Sequence, residues 1–274
     1  MKIVVVGGAD QSIYELIEQA HQTFEESLNF ILFDTHDQVP ESDLYTYYGY
    51  DKTSKMVEEA MRYVQREKAD VILKGMVQTH DILKGVLNKE FDLRNKKVLS
   101  HVALIELPEQ STPLFLTDAA MNIQPTKEQL AQITDNAIET ALNFGIKQPK
   151  VALLSSAENY NEKMPSSVLA VDTKELLKKR TDAVIEGPIS FDLSLNPKAA
   201  QKKKYQGAIQ GDANILVVPT IDVGNVLYKA FVQFAHANVG GIIVGAKIPI
   251  ALTSRADSVE SKLTALKLAM KQVK

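Results

Sequence analysis

Short runs of aliphatic and β-branched residues recur along this sequence, each followed by a longer amphipathic stretch. The runs fall at residues 2–6, 30–33, 71–74, 112–117, 151–154, 183–186, 215–218 and 241–244, and several are nearly all apolar. A strand of that composition has no face to give to water, so it must be covered on both sides, as strands of parallel sheets are. Helical patterns fill the intervals, at 11–26, 53–68, 127–144, 172–179, 226–237 and 259–273. The alternation predicts parallel sheets with right-handed crossovers, an α/β fold.

With 274 residues the chain suits one large domain or two ordinary ones. Pro125 ends an extended segment, and a long helix and a fresh strand follow it, so a division near residues 122–126 is expected. Thr126 and Gln129 have capping-box spacing at the start of that helix, and Gly145 stands where a left-handed C-cap belongs. Asp51-Lys52-Thr53-Ser54 reads as the start of the second helix.

Composition then excludes several chemistries. There is no cysteine, so disulfides, thiolate zinc sites and cysteine nucleophiles are ruled out for these residues. The five histidines (His21, His36, His80, His101, His236) show no metal-binding spacing, so no metal is expected. A net charge of -3 gives no basic footprint for nucleic acid. No apolar run reaches the ~18 residues of a membrane helix. The opening residues Met1-Lys2-Ile3-Val4-Val5-Val6 read as a first strand rather than a signal peptide. A cytoplasmic protein that engages neither nucleic acid nor membrane is expected.

In α/β sheets ligands bind beyond the carboxyl ends of the strands, so the residues that follow each strand carry the functional argument. Gly7-Gly8 after the first strand lacks the third glycine of a dinucleotide fingerprint and any P-loop lysine, which favours a tight turn. Thr79 and His80 follow residues 71–74, Asp118 and Asn122 follow 112–117, and Asp192 and Asn225 follow the later strands. Each has a structural alternative: an Asx-turn or helix cap for Asp118, Asn122 and Asp192, a cap for Asn225, a core or surface place for His80 and His101. The basic run Lys202-Lys203-Lys204 reads as a solvated helix end or as a contact to a phosphorylated ligand. Thr253-Ser254-Arg255 ends an apolar run. Arginine offers a permanent bidentate fork for phosphate or carboxylate, and a neighbouring hydroxyl can donate to an oxyanion. Its alternative is a helix cap by Ser254 or Ser258 beside an exposed arginine.

Taken together, Leu73-Lys74-Gly75, the segment Thr117-Asp118-Ala119-Ala120-Met121-Asn122, Glu186-Gly187-Pro188, Gly224-Asn225 and the run from Val244 through Thr253-Ser254-Arg255-Ala256-Asp257-Ser258 resemble the phosphate acetyl- and butyryltransferases. The resemblance covers nearly the full chain and is strongest to the butyryl branch; the acetyl branch has a glycine, and often a cysteine, after Ser-Arg, where this sequence has Ala256 and Asp257.

The resemblance implies two α/β/α domains around a cleft, like isocitrate and isopropylmalate dehydrogenases, with residues 1–124 plus 253–274 in the first and 125–252 in the second. It implies exchange of acyl-CoA and orthophosphate with acyl phosphate and CoA, for a short or branched acyl group. Coenzyme A is then a substrate, with no tightly bound cofactor, and a homo-oligomer, at least a dimer, is implied. Arg255 is the implied phosphate contact and Ser254 the oxyanion donor. An aspartate downstream of Ser-Arg is the base in acetyl enzymes; direct counting places Ser261 there, with Glu260 beside it. The base is therefore Asp257, Glu260 or a carboxylate from elsewhere, with Asp257 preferred as nearest Arg255. Thr79, Asp118, Asn122, Asp192 and Asn225 are the implied substrate contacts. A metal- and NAD-dependent dehydrogenase of the related fold and a non-catalytic CoA-binding protein stand as alternatives.

Overall fold

The apolar runs do form strands. The computed structural model describes residues 1–36, 39–95, 97–108, 110, 112–253 and 257–273. Among these the elements run β1 (Lys2–Val6), α1 (Gln11–Thr23), β2 (Asn29–Asp34), β3 (Tyr45–Gly49), α2 (Thr53–Glu67), β4 (Val71–Lys74), α3 (Thr79–Leu87), a 3-10 turn (Lys89–Phe91), β5 (Ser100–Glu106) and β6 (Leu114–Thr117). There follow α4 (Lys127–Phe144), β7 (Lys150–Leu154), α5 (Pro165–Leu176), β8 (Val184–Ile189), α6 (Phe191–Leu195), α7 (Pro197–Lys202), β9 (Ile215–Val217), α8 (Ile221–Ala235), β10 (Asn238–Val244), β11 (Ile250–Leu252) and α9 (Val259–Met270). The fold is α/β, and no helix among the described residues is long and apolar enough to cross a membrane.

The chain forms two compact units, residues 1–97 with 240–274 and residues 98–239. These limits differ from the expected 124/125 and 252/253. The reason lies in strand pairing. β6 joins β9 through Phe115↔Ile215, Leu116↔Leu216 and Thr117↔Val217, which carries the whole β5–β6 hairpin into the second unit. β11 joins β4 through Ile250↔Ile72 and Ala251↔Leu73, which carries the end of β10 and β11 into the first.

In the first unit the strand order is β3-β2-β1-β4-β11-β10. All pairs are parallel except β10–β11. Side chains alternate across a strand, and β3 shows the result. Tyr45 stacks on Tyr14 of α1, while Tyr48 meets Tyr63 of α2, so α1 and α2 cover opposite faces. Burial follows: Ile3, Val4, Val5 and Val6 of β1 are fully buried, as are Ile13, Leu16, Ile17 and Ala20 on one stripe of α1.

The second unit has the order β5-β6-β9-β7-β8, parallel except for β5–β6. The two hairpins correct the expectation of purely parallel sheets; a short connection can only return a strand antiparallel. Its core joins Leu116, Ala152, Ile189, Leu193, Leu216 and Phe231 among others. The α4 capping box is present: Gln129 N donates to Thr126 Oγ1 at 3.3 Å and Thr126 N donates to Gln129 Oε1 at 2.9 Å. Gly145 ends the helix at φ +113°. By contrast α2 begins at Thr53, and the residue before it, Lys52, supplies no side-chain cap.

Candidate functional site

Strand order in the first unit reverses between β1 and β4, the topological switch where α/β sheets bind ligands. The β1 turn itself is closed. Gly7 N and Gly8 N both donate to Phe33 O, at 2.8 and 3.3 Å, and Ala9 N donates to Asp34 Oδ2 at 2.7 Å. Met76 N donates to Gly7 O at 2.7 Å, and a Cβ on Gly75 would lie 1.9 Å from that oxygen. The glycines serve close backbone approach, and their donors are occupied, so this turn is no phosphate cradle.

The neighbouring strand ends, of β4 and β11, hold the more informative geometry. Lys74 closes β4 and is buried, 6% exposed. Its Nζ donates to Thr253 O at 2.8 Å and to Gly75 O at 3.2 Å, while Thr253 Oγ1 donates back to Lys74 O. This reciprocal pair adds one rung beyond the last ladder partners, Leu73↔Ala251. It fixes the point at which the chain enters Ser254-Arg255. Ser254 and Arg255 themselves lie outside the described residues.

The chain is described again at Asp257, which is half-buried, and Ser258 caps α9 by accepting Ser261 N at 3.1 Å. The capping role therefore falls to Ser258. Glu260 lies exposed in the first turn of α9, where the helix dipole favours an anion. Lys262 is 2% exposed, and its Nζ donates to Asp257 O. Thr79 opens α3, half-buried, and its hydroxyl has no partner among the described residues. His80 is exposed beside Asp81, at 3.6 Å.

In the second unit Asp118, Asn122 and Asn225 come together at the carboxyl ends of β6 and β9. Asp118 is 3% exposed and follows a cis peptide bond from Thr117. Its Oδ1 accepts Ala120 N and Met121 N, both at 2.9 Å. Its Oδ2 accepts His101 N at 3.2 Å and Asn122 Nδ2 at 2.6 Å. Asn122 Nδ2 also donates to Leu99 O at 2.9 Å. The carboxylate is thus the organiser of its own loop. Asn225 is not a cap: α8 begins four residues earlier, at Ile221 after Thr220, and the Asn225 amide leans on Ala119 O at 3.4 Å. Gly224 makes that docking possible, since a Cβ there would lie 2.5 Å from Asp118 O.

His101 lies buried against the Tyr228 ring, centroids 6.3 Å apart. Burial pushes its pKa down more strongly than the nearby Asp118 carboxylate lifts it, so the imidazole stays neutral. Its Nδ1 has no hydrogen-bond partner among the described residues.

Asp192 stands apart from these, in the first turn of α6. Lys203 bridges it and Glu158, at 3.1 and 2.7 Å, and the Ser190 hydroxyl lies within hydrogen-bond distance of both carboxylates, at 2.7 Å from Asp192 and 3.0 Å from Glu158. The Ser190 hydroxyl, then Lys203, hold Asp192 below the usual carboxylate range. The charge of Lys203 is matched by two acids, so Lys203 itself is not an open phosphate contact.

Sequence reasoning gave Lys74 no role beyond its place in Leu73-Lys74-Gly75, and did not single out Lys262. Their signal was a charge out of place: a lysine ending an all-apolar strand, and a lysine in line with Ala265, Leu266 and Ala269 on the buried stripe of α9.

The family model for phosphate acetyl/butaryl transferase matches residues 51–270. The chain belongs to this family. It is therefore an acyltransferase. It is 45% identical over 213 residues to a probable phosphate butyryltransferase of Bacillus subtilis (strain 168), covering 77% of this chain and 71% of the relative. A solved branched-chain phosphotransacylase from Enterococcus faecalis V583 is 46% identical, with TM-score 0.94 over 99% of this chain and 98% of that one. The fold is shared more widely: a putative 4-hydroxythreonine-4-phosphate dehydrogenase from Salmonella typhimurium superposes with TM-score 0.58 at 12% identity, over 100% of this chain and 99% of that one. That likeness is one of fold alone.

Proposed function

We propose that this chain exchanges acyl-CoA and orthophosphate with acyl phosphate and CoA, for a short or branched acyl group. Family membership supports the reaction, and the names of the butyryl and branched-chain relatives support the acyl class. The observation that carries the mechanism is the anchoring of the main chain at Thr253 and Asp257, on either side of Ser254-Arg255, by two buried lysines.

In the direction of CoA acylation, the CoA thiol gives its proton to a carboxylate and the thiolate attacks the acyl carbon. The C–S bond forms, Ser254 donates to the oxyanion, the C–O bond to phosphate breaks, and orthophosphate leaves against Arg255. Asp257 is the preferred base, being half-buried where Glu260 is exposed. The chain contains no cysteine, so direct transfer in a ternary complex is the simplest course. Of the substrate contacts, the Thr79 hydroxyl and Asn225 amide are the more available; the Asp118 oxygens already serve four donors. CoA enters as substrate with no resident cofactor, and the enzyme works as a cytoplasmic homo-oligomer.

The test is CoA release from acetyl-, propionyl-, butyryl-, isobutyryl- and isovaleryl-CoA, with and without phosphate, for the wild type and Arg255→Ala. Phosphate-dependent release that favours the longer or branched chains and collapses in the variant supports the reading. No release from any acyl-CoA by folded protein refutes it.

A further inference from the structure

We infer that the outer face of α8 is an interface with a second copy of this chain, formed by two α8 helices packed antiparallel about a two-fold axis. The inference gives the proposed homo-oligomer its surface and stands apart from the acyl-transfer chemistry. A surface helix normally turns one apolar stripe to the core and the rest of its circumference to water. In α8 the core buries Gly224 and Phe231. The apolar arc runs on past them: Val223 is exposed, Val226 is 66% and Phe234 86% exposed, and Leu227 and Ala230 lie half-buried in the same arc. Asp222, Asn225, Lys229 and Gln233 take the remaining, exposed side.

The apolar surface extends beyond the helix. Ile123, 73% exposed, accepts Ile221 N on its carbonyl at 3.0 Å, and the exposed Phe191 ring lies 6.1 Å from that of Phe231. A phenylalanine carries about 150–250 Å² of surface, so Ile123, Phe191, Val223, Val226 and Phe234 leave on the order of 500 Å² of apolar area to water. That is at the upper end for the surface of a monomer. With the polar side of α8 the face comes near the ~800 Å² that each partner gives to a stable interface. A lipid surface is a poor occupant, because the polar side carries one acid and one lysine rather than a basic band.

The spacing names the occupant. Val223, Leu227, Ala230 and Phe234 stand at i, i+4, i+7 and i+11, the repeat of a helix-pair seam. Run antiparallel against a copy of itself, this seam sets Val223 opposite Phe234 and Leu227 opposite Ala230, and the same pairs recur on the other side of the axis. Each rung places a large side chain against a smaller one, so the layers interdigitate. A surface that complements itself in this way is what an isologous two-fold contact requires. A parallel pairing would instead stack Phe234 on Phe234 and leave Ala230 facing Ala230 across a gap.

The chain has no cysteine, so introduced thiols report the pairing directly. In the double variant Val223→Cys/Phe234→Cys the two thiols lie ~16 Å apart along one helix, too far to join within it. In the antiparallel pair each faces its counterpart on the other copy. Mild oxidation of the full chain is expected to give a covalent dimer of the double variant and about a tenth as much or less of either single variant. Single variants that cross-link as well as the double overturn the antiparallel pairing. Sedimentation equilibrium then compares the wild type with Val226→Asp, or with Phe234→Asp should that variant fail to fold. A wild-type dimer is expected, with its dissociation constant raised about a hundred- to a thousandfold by the substitution, because each copy would bury an unpaired carboxylate. An oligomer that folded Val226→Asp or Phe234→Asp leaves intact overturns this surface while the proposed homo-oligomer stands. A wild type that stays monomeric overturns both.

Discussion

Replacing Asp118 by asparagine removes one charge and leaves the shape unchanged, and its cost can be worked from the loop. The carboxylate accepts Ala120 N and Met121 N on one oxygen, and His101 N and Asn122 Nδ2 on the other. An amide has only one acceptor atom, so in either orientation two of the four donors face an NH₂ group. Hydrogen bonds to a charged acceptor contribute about 1.5–3 kcal/mol each, and neighbours in one network do not add fully. Asp118→Asn is therefore expected to cost about 3 kcal/mol. The assay is urea unfolding followed by amide exchange. Faster exchange is expected at Ala120 and Met121, or at His101, according to which way the amide turns. A variant within ~0.5 kcal/mol of the wild type, as for an ordinary surface change, that still loses turnover would refute the reasoning. It would mean that the carboxylate faces substrate rather than its own loop.

Two further outcomes follow from the same unit. His101 binds a proton less readily in the folded chain than in the unfolded one, so below its ordinary value of 6.5 the unfolded state takes up more protons and stability falls. His101→Phe is expected to flatten the fall in unfolding free energy between neutral and mildly acid pH, and an unchanged slope would exclude His101 as its source. Gly224→Ala improves helix propensity, yet its Cβ would lie 2.5 Å from Asp118 O and 2.9 Å from Ala119 Cα, both backbone atoms. Overpacking is expected to win, with a net loss of about 1–2 kcal/mol in chemical unfolding; a gain would show that α8 can slide on the loop.

Local signals were legible where sequence and packing agree. β1 and β4 are short, apolar and flanked by turn residues, and the Thr126–Gln129 box marks the start of α4 from four residues alone. The misses have physical causes. β3, Tyr45-Thr46-Tyr47-Tyr48-Gly49, is an edge strand that leaves part of its surface to water, so it carries no apolar run. β8 continues through Gly187-Pro188 to Ile189, two residues that normally end a strand. It tolerates them because it is the outermost strand of its unit, where a missing N–H is harmless. α8 begins at Ile221 rather than Val226 because Gly224, a poor helix former, is required for contact with the Asp118 loop.

The site was legible to the same degree. Asp118 and Asn122 were singled out in one segment and Asn225 in another far along the chain, and the second unit brings them together. Strand order and the Asp118 hydrogen bonds, which no spacing rule encodes, give Asp118 a loop-building role. Asp192 was singled out with them but lies in a separate network with Glu158, Ser190 and Lys203. Lys74 and Lys262 were given no role of their own because a lysine at the end of a strand or within a helix is ordinarily solvated. Only the three-dimensional structure shows both buried against the carbonyls of Thr253 and Asp257.

Direct acyl transfer between CoA and phosphate is the central claim, and isotopic exchange tests it most directly. Labelled CoA is incubated with unlabelled butyryl-CoA and enzyme, with and without orthophosphate, and the label in the acyl-CoA pool is followed. Exchange that requires phosphate is expected, because the acyl group then reaches labelled CoA only through acyl phosphate. Exchange at full rate without phosphate would reveal an acyl-enzyme and contradict direct transfer, and no exchange under either condition would contradict acyl transfer itself.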